Sequence, residues 1–497
     1  MRAADGSGAF LEYHEPGIIP ILTLISFFVF LSLAEWLADK IFRAGLIGQM
    51  VVGLIYGVPI GNILALEWQE TFLALGYIGL ILIIFEGGLT IRLDLLRQNF
   101  LLSAIAALLG VLTPIALSFA LLYGGFGHGA LEAFIVGTAL CSTSLGTTFV
   151  VINSFKAIDF SQTRIGTVLV SAAILDDVCG LVLVSVIHEL RGLSDHGGNL
   201  GWIIGRPVLA SGCLALLTPL AAKFVFGPLF RRFAEVHFAR LRHMSNMGLM
   251  VIVLCAFLAI SAYAGASVLF GAFLAGTLVS SLPSRHPQGP FVVTSREEGE
   301  TAEGKCPTLV HTFEKYAGDA QRFILQPLFF ASIGFAIPFL ELWTGEVIWK
   351  GVVFSILMLC GKVIVGLCIP VWDFITTIEF RKRPRGVVSD KPVAISRARA
   401  RGVIASSWAP ATMLGTAMVA RGEIGLVIIQ IGLNETPFLS QKAFVIGVWA
   451  IVLNTILGPV AVGILLKRFG TKIAENRRWG MQSRVDSSDA SDRVLEM

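Results

Sequence analysis

The strongest constraint on this chain is a series of long apolar segments. A helix needs about 20 apolar residues to cross the hydrocarbon core of a bilayer. Charged residues make up 14% of the chain and hydrophobic residues 55%, whereas an ordinary soluble protein has about 25% charged residues. This composition excludes a soluble enzyme, a disordered chain and a nucleic-acid-binding protein. The sequence predicts an all-α multi-pass membrane protein of about thirteen transmembrane helices, near residues 17–36, 44–60, 71–90, 100–123, 131–152, 164–190, 201–228, 245–263, 266–281, 321–341, 345–372, 409–432 and 437–466.

The distribution of Lys and Arg predicts how these helices are oriented. With the N-terminus outside, 31 of the 38 Lys and Arg residues fall on one side of the membrane, five fall on the other, and two lie within the spans. Because cytoplasmic loops collect positive charge, we expect an N-terminus that is outside or lumenal and a cytoplasmic C-terminus, in the plasma membrane or in an internal membrane. The polar segments are then an extracytoplasmic tail (1–16), two cytoplasmic loops (282–320, with a surface helix near 308–318, and 373–408) and a disordered cytoplasmic tail (467–497).

Two adjacent carboxylates lie in the middle of the sixth span, VSAAILDDVCGLVLVSV. Asp176 and Asp177 are about 12 residues from each polar end, which corresponds to roughly 18 Å of helix. Charges at this depth are costly and are usually functional. Neighbouring side chains on a helix point about 100° apart, so the two acids can line one cavity and still have different partners. We expect one of them to be protonated or paired with a cation, as a site that alternates between protons and a cation requires.

A lysine in the eleventh span is the second charge that does not suit lipid. Lys362, in LMLCGKVIVGL, is ten or more residues from each end of the span, and its side chain cannot easily reach the membrane surface. It requires a buried anion, and Asp176 and Asp177 are the candidates. A purely structural ion pair is the alternative to a role in transport.

Polar, glycine-containing stretches interrupt the fifth and twelfth spans, at residues 142–148 (STSLGTT) and 421–423 (RGE). Unwound backbone within a membrane is tolerated only beside a cavity or inside the protein. Transporters built from inverted repeats carry such breaks at corresponding positions in both halves. The offset of seven spans predicts two inverted six-helix repeats (17–190 and 245–466) joined by a linking helix (201–228).

Each of these polar stretches has an alternative interpretation. The hydroxyls of the fifth span can bond back to carbonyls of their own helix. Arg421 and Glu423 can form a local ion pair instead of coupling to the aspartates. Glu86, at the end of the third span, has Arg92 and Arg421 as candidate partners. His188, in the outer turn of the sixth span beside a second acid, can titrate near neutral pH, although a solvated helix end is the commoner arrangement.

Taken together, these motifs resemble those of the monovalent cation/proton antiporters, in particular the second branch of that superfamily. The resemblance covers about residues 40–465, in the family's order. The double Asp with the downstream Lys is its most specific part. The matching segments are RAGLIGQMVVGLIYG, FEGGLTIRLDLLRQN, STSLGT, AAILDDVCGL, GASVLFGAFLAG, LQPLFFASIGF, LCGKVIVG and VARGEIGLVI.

The resemblance implies a dimerisation domain and a mobile core domain in which two broken helices cross. It implies that Asp177 binds the cation or the proton, that Asp176 pairs with Lys362, and that Thr143 and Ser144 lie near the ion. Arg421 and Glu423 are candidate coupling partners. Members with Asp-Asp plus Lys tend to be electrogenic. The expected partners are Na⁺, K⁺ and H⁺, the lipid bilayer and a second copy of the chain, with no cofactor.

Exchange of Na⁺ or K⁺ for protons by alternating access is the leading functional hypothesis, and three others were weighed. Proton-coupled export of a small organic metabolite on the same fold stays open, although acidic groups at mid-membrane disfavour an anionic substrate. An ion channel or sensor is a further alternative. An intramembrane aspartyl protease needs aspartates facing each other from two helices, commonly with a G-x-G-D segment. Here the acids are adjacent on one helix and no such segment occurs, so we expect a transporter rather than an enzyme.

Overall fold

A computed structural model describes residues 15–91, 99–144, 160, 163–196, 200–234, 243–282, 308–382, 396–476 and 478–480. The regular elements of these residues are helices. In hydrocarbon, a helix satisfies every backbone N–H and C=O within its own segment. The helices are α1 (Ile18–Phe42), α2 (Gly45–Tyr56), α3 (Leu66–Thr90), α4 (Phe100–Ser118), α5 (Ala130–Ala139), α6 (Arg164–His196), α7 (Leu200–Ala221), α8 (His243–Ala264), α9 (Val268–Ser281), α10 (Gln326–Phe335), α11 (Gly345–Val365), α12 (Cys368–Lys382), α13 (Ser396–Ala417), α14 (Glu423–Glu435) and α15 (Gln441–Ala474).

Eight helical stretches in the described part of the chain are long and apolar enough to cross a membrane. They comprise α1, α3, α4, α6, α7, α8, the consecutive pair α11–α12, and α15. Three further apolar helices, α2, α5 and α9, are shorter. The short α2 and α9 coincide with the second and ninth predicted spans, which are also short. The all-α, multi-pass prediction is confirmed, and the count of thirteen stays a prediction.

The structure differs from the predicted loops at three places. Helices α12 and α13 extend into both ends of the predicted 373–408 loop, because Ala and Arg are strong helix formers even where the chain is no longer apolar. Near 308–318 a short helix forms as predicted, but its Leu309 and Phe313 are buried rather than on the surface. Helix α15 continues to Ala474, and Trp479 in the predicted disordered tail is fully buried. The rest of these segments lies outside the described residues.

The helices pack as two groups. The panel consists of α1, α2, α3, α8, α9 and α10, and the bundle consists of α4, α5, α6 and α11 to α15. Helix α7 connects them in sequence and packs on α6. Helices at corresponding positions in the two halves of the chain make corresponding contacts. In the panel, α3 packs on α9 and α10 packs on α2; in the bundle, α4 packs on α6 and α11 packs on α15. Such matching contacts are expected of two repeats, and the division into the inverted repeats 17–190 and 245–466 stays a prediction.

Candidate ion-binding site

Two broken helices of the bundle meet at mid-length. Helix α5 ends at Ala139, and the chain continues without helical structure to Ser144. Helix α13 ends at Ala417, and α14 begins at Glu423. The two interruptions contact each other directly, because the backbone N–H of Ser144 donates to the carbonyl oxygen of Ala420 over 2.9 Å. The predicted break of the twelfth span is therefore present, and residues 142–144 of the predicted break in the fifth span are unwound, while its residues 145–148 and the second half of that span lie outside the described residues.

A glycine makes this close crossing possible. A Cβ atom added to Gly422 would lie 2.7 Å from Cβ and 2.9 Å from Oγ of Ser144. Real Cβ atoms essentially never approach another atom so closely. Gly422 therefore lets the start of α14 lie against the end of the α5 segment. In the Arg-Gly-Glu segment, the glycine thus permits the close crossing, while the two residues beside it carry the charges.

Asp176 is completely buried and is paired with Lys362. The lysine Nζ donates to Oδ2 of Asp176 over 3.0 Å, to Oγ1 of Thr143 over 3.1 Å and to the carbonyl oxygen of Cys141 over 2.5 Å. These three bonds use all three ammonium donors. Thr143 in turn donates to Asp176 Oδ2 over 2.5 Å. Lys362 is also fully buried, so the ion pair draws α6, α11 and the α5 break together at the centre of the bundle.

Asp177 faces a different environment from that of its neighbour. It is half-buried, and its Oδ1 accepts a 2.9 Å hydrogen bond from Oγ of Ser142. Among the described residues, no Lys or Arg nitrogen lies within 4.0 Å of an Asp177 oxygen. The half-buried Glu423, at the first turn of α14, interacts with it electrostatically. Asp176 is therefore already neutralised by a cation, whereas Asp177 has a hydroxyl donor and a neighbouring carboxyl.

Arg421 stabilises the broken end of α5. Its guanidinium is fully buried, and Nη1 donates to the carbonyl oxygens of Cys141 (3.3 Å) and Ser142 (3.0 Å). A cation at a helix C-terminus offsets the negative end of the helix dipole. Within the described part of the chain, Arg421 makes no ion pair with Glu423 or with Glu86. Both of those suggested pairings are therefore wrong.

The remaining candidate residues lie away from the double aspartate. Glu86 accepts a 2.6 Å hydrogen bond from Nε2 of Gln321, inside the panel, and Arg92 lies outside the described residues. His188 Nδ1 lies 2.7 Å from Oε2 of Glu435, and the two side chains are 39% and 43% exposed. This end of α6 is thus partly exposed, but its histidine has a specific carboxylate partner on α14.

The sequence alone did not single out two residues that the geometry brings to the site. Ser142 was predicted only as a member of the polar run, yet it is the residue bonded to Asp177, whereas Thr143 bonds to Asp176. A Cβ atom at Gly110 of α4 would lie 3.2 Å from both Asp176 Oδ1 and Lys362 Nζ. A glycine in an apolar span has no polar side chain that would mark it as part of a site, so the position of Gly110 beside the ion pair could be found only from the packing.

Two cavities lie along the boundary between panel and bundle, at opposite ends of α3. The larger, of about 870 Å³, extends from Ile91 at the end of α3 to Ile174, Leu175 and Val178, which flank Asp177 on α6. The smaller, of about 230 Å³, lies beside the first half of α3 and the far end of α6. The double aspartate is positioned between them, at the middle of α6.

The profile of the transmembrane sodium/hydrogen exchangers matches residues 25–468. The chain belongs to this family. The antiporter prediction is therefore confirmed at the level of the family, which consists of transporters rather than enzymes.

Individual relatives support the same family over most of the chain. The Na⁺/H⁺-K⁺ antiporter GerN of Bacillus cereus is 24% identical over 452 residues, which is 89% of this chain and 94% of that protein. The Na⁺/H⁺ antiporter of Enterococcus hirae is 25% identical over 86% of this chain and 92% of its own length. A probable Na⁺/H⁺ antiporter of Methanocaldococcus jannaschii is 29% identical, but the match spans only 46% of this chain and 55% of that protein.

The fold has a solved counterpart. The sodium proton antiporter MjNhaP1 from Methanocaldococcus jannaschii superposes with a TM-score of 0.53, covering 91% of this chain and 97% of that one. At 17% sequence identity the likeness concerns the fold alone. It confirms the sodium/proton antiporter-like fold.

Proposed function

We propose that the protein exchanges Na⁺ and/or K⁺ for protons by alternating access, and that Asp177 binds the cation and the proton in turn. The observation that carries this proposal is the unequal partnering of the two adjacent aspartates. Lys362 already neutralises Asp176, so the second carboxylate is the one left to take up a charge from solution. Relatives whose names describe exchange of Na⁺, K⁺ and H⁺ support the choice of ions.

The groups around Asp177 suit a small hard cation. Carboxylate, hydroxyl and carbonyl oxygens are the ligands that such cations prefer. Ser142 supplies a hydroxyl, and Thr143 and Ser144 continue the same unwound segment. In the proton-bound state a neutral Asp177 can keep its hydrogen bond to Ser142. In the cation-bound state the carboxylate and hydroxyl oxygens both become ligands, while Glu423 adds negative charge nearby.

Movement of the bundle against the panel would provide the alternating access. The double aspartate lies in the bundle, and the two cavities lie at opposite ends of the boundary between the groups. A shift that widens one cavity while closing the other would expose Asp177 to each side in turn. We further propose that the protein forms a homodimer in the bilayer, with the N-terminus outside and the C-terminus in the cytoplasm.

The proposal is tested with purified protein in proteoliposomes. A pH gradient is imposed, and internal pH is followed while Na⁺, K⁺ or Li⁺ is added in turn. Wild-type protein is expected to dissipate the gradient when its cation is added. Asp177→Asn keeps the size and hydrogen bonding of the side chain but cannot cycle between proton and cation, so its exchange should be abolished while the protein stays folded.

Asp319→Asn is the matched control, since it makes the same chemical change at an exposed residue outside the site. It is expected to transport like wild type. Cation-dependent proton flux of normal size from Asp177→Asn would refute the role of Asp177. A wild-type protein that responds to none of the three cations would refute cation exchange itself and favour export of a metabolite.

A further inference from the structure

The larger cavity is bordered by α7 as well as by the panel and the bundle. Its walls come from α6, from α7 and the turns that follow it, and from α9. Its volume of about 870 Å³ lies within the range of about 300–1,000 Å³ that is typical of pockets for drug-sized ligands. Other leucines of α7 do not line the cavity and are 43% to 65% exposed, namely Leu209, Leu216, Leu217 and Leu220. The cavity therefore lies beside a helix that presents apolar surface to the bilayer.

The interior of this cavity offers little to a polar ligand. Most of its lining residues are apolar, and the described lining contains no Asp or Glu. The hydroxyl groups of Thr218, Thr277 and Ser281 each donate to a carbonyl oxygen of their own helix, over 2.7, 2.8 and 2.7 Å. Because these donors are already used, a ligand that fills the interior must be largely apolar.

Two cations lie at one end of the cavity. Lys223 and Arg231 both line it, and both are exposed. Arg231 Nε donates to the carbonyl oxygen of Leu282 over 3.2 Å, which leaves the two terminal guanidinium nitrogens available to a ligand. Within the described part of the chain, no carboxylate oxygen lies within 4.0 Å of a nitrogen of Lys223 or Arg231. The cavity thus combines an apolar interior with a cationic end, as an anion with an apolar tail requires.

The depth of these cations suits the headgroup of a lipid. A helical stretch from Gly201 to Phe233 contains most of α7 and continues beyond it. Because about 20 residues cross the hydrocarbon core, Lys223 lies near the level at which the headgroups begin. The predicted topology places this end on the cytoplasmic side, where the membrane leaflet carries anionic lipids. Arginine binds phosphate oxygens through two parallel N–H groups, and lysine binds them as a point charge.

We propose that this cavity binds an anionic phospholipid, with the phosphate on Lys223 and Arg231 and an acyl chain between α6, α7 and α9. We call it the lipid site. Lipid tails are as apolar as leucine side chains, so moving a chain from the bilayer into the cavity gains little free energy. The charge of the headgroup therefore decides which lipid is bound, and a phospholipid without net charge binds more weakly.

The lipid site lies beside the ion-binding centre. Ile174, Leu175 and Val178 line it, and they flank Asp177 on α6. In the proposed function this cavity narrows when the bundle moves against the panel, and a chain held there would favour the conformation in which the cavity is wide. That consequence rests on the proposed function, whereas the binding of the lipid does not.

The test measures lipid binding to the purified full chain. Native mass spectrometry gives the affinities for phosphatidylglycerol and for phosphatidylcholine with identical acyl chains, and wild type is expected to bind phosphatidylglycerol more tightly. The double variant Lys223→Gln/Arg231→Gln should bind phosphatidylglycerol about thirtyfold more weakly, the change that corresponds to two basic residues beside an anionic lipid. Its affinity for phosphatidylcholine should not change. The matched control is Arg232→Gln/Lys315→Gln, which removes one exposed arginine and one exposed lysine that do not line the cavity, and it should bind like wild type.

A second pair of variants tests the cavity without changing its charge. Ala215→Phe adds a ring to a lining residue and should weaken phosphatidylglycerol binding, whereas Cys213→Phe, at an exposed residue of α7 outside the lining, should not. Equal affinity of wild type for the two phospholipids, an equal loss in the control double variant, or unchanged binding in Ala215→Phe would each overturn the lipid site. Tighter binding of a free fatty acid such as oleate than of phosphatidylglycerol would also overturn it. Ion exchange is not measured here, so these outcomes are distinct from a failure of the proposed function.

Discussion

At the scale of single residues, Asp176 and Asp177 have different partners because they are adjacent on one helix. Side chains at neighbouring helix positions point about 100° apart, so one lysine cannot neutralise both. Lys362 reaches Asp176, and Ser142 reaches Asp177. One carboxylate is thus paired with a lysine and the next one is not, which is the difference on which the proposed exchange at Asp177 rests.

A mutant cycle on the buried pair tests this compensation. Lys362→Gln and Asp176→Asn should each lower the free energy of unfolding by about 3–5 kcal/mol, since each leaves an uncompensated buried charge. The double mutant should lose less than the sum of the two single losses. Unfolding in detergent provides the measurement. Lys350→Gln, which breaks an i,i+4 pair with the exposed Glu346, is the control and should change stability much less; strictly additive losses at the buried pair would contradict the coupling.

At the scale of elements, the crossing of the α5 break and the start of α14 depends on the close contact between Gly422 and Ser144. Gly422→Ala would place a methyl group 2.7 Å from Cβ of Ser144, which should push α14 away from the α5 break. We expect reduced transport and a lower thermal stability. The backbone at Gly422 (φ −145°) suits alanine, so the penalty should come from the contact alone.

Ser144→Gly provides the compensating change, because it removes both of the closest atoms. The double variant Gly422→Ala/Ser144→Gly should therefore recover much of the lost stability, measured by thermal unfolding. If the double variant is less stable than Gly422→Ala alone, then the contact with Ser144 is not what requires glycine. Transport by the single variant Ser144→Gly tests separately whether the Ser144 hydroxyl is needed as an ion ligand.

The breaks could be predicted from the sequence, but the partners of their side chains could not. Hydroxyls, glycines and charges in otherwise apolar spans indicate unwound backbone without any knowledge of packing. In an unwound segment, however, side-chain direction no longer follows the helical period. For this reason Ser142 rather than a neighbour bonds to Asp177, and Arg421 binds carbonyls of the α5 break rather than a carboxylate. That Lys362 pairs with one of the two aspartates was predictable, because a charge at this depth requires a partner, whereas the choice of Asp176 was implied only by the resemblance to the antiporter family.

At the scale of the whole molecule, the buried charged residues lie in one group of helices, and the other group packs against it. The charged centre lies inside the bundle, whereas the panel supplies the opposite walls of both cavities. In the proposed function, movement between these two groups is what would expose the charged centre to each side in turn. Length and composition indicated a multi-pass chain of long apolar spans, but the division into panel and bundle depends on contacts between helices far apart in sequence.

The buried charges make a specific prediction about the charge moved in each cycle. If cation binding at Asp177 weakens the Lys362–Asp176 pair, Lys362 can release its proton together with that of Asp177. Two protons would then leave for each cation that enters, and exchange would be electrogenic. In wild-type proteoliposomes, a membrane potential set by a K⁺ gradient and valinomycin should therefore speed or slow Na⁺/H⁺ exchange according to its sign. Lys362→Gln, if it transports, should respond less. Exchange by wild type that is insensitive to the potential would contradict this mechanism and leave Lys362 with a structural role.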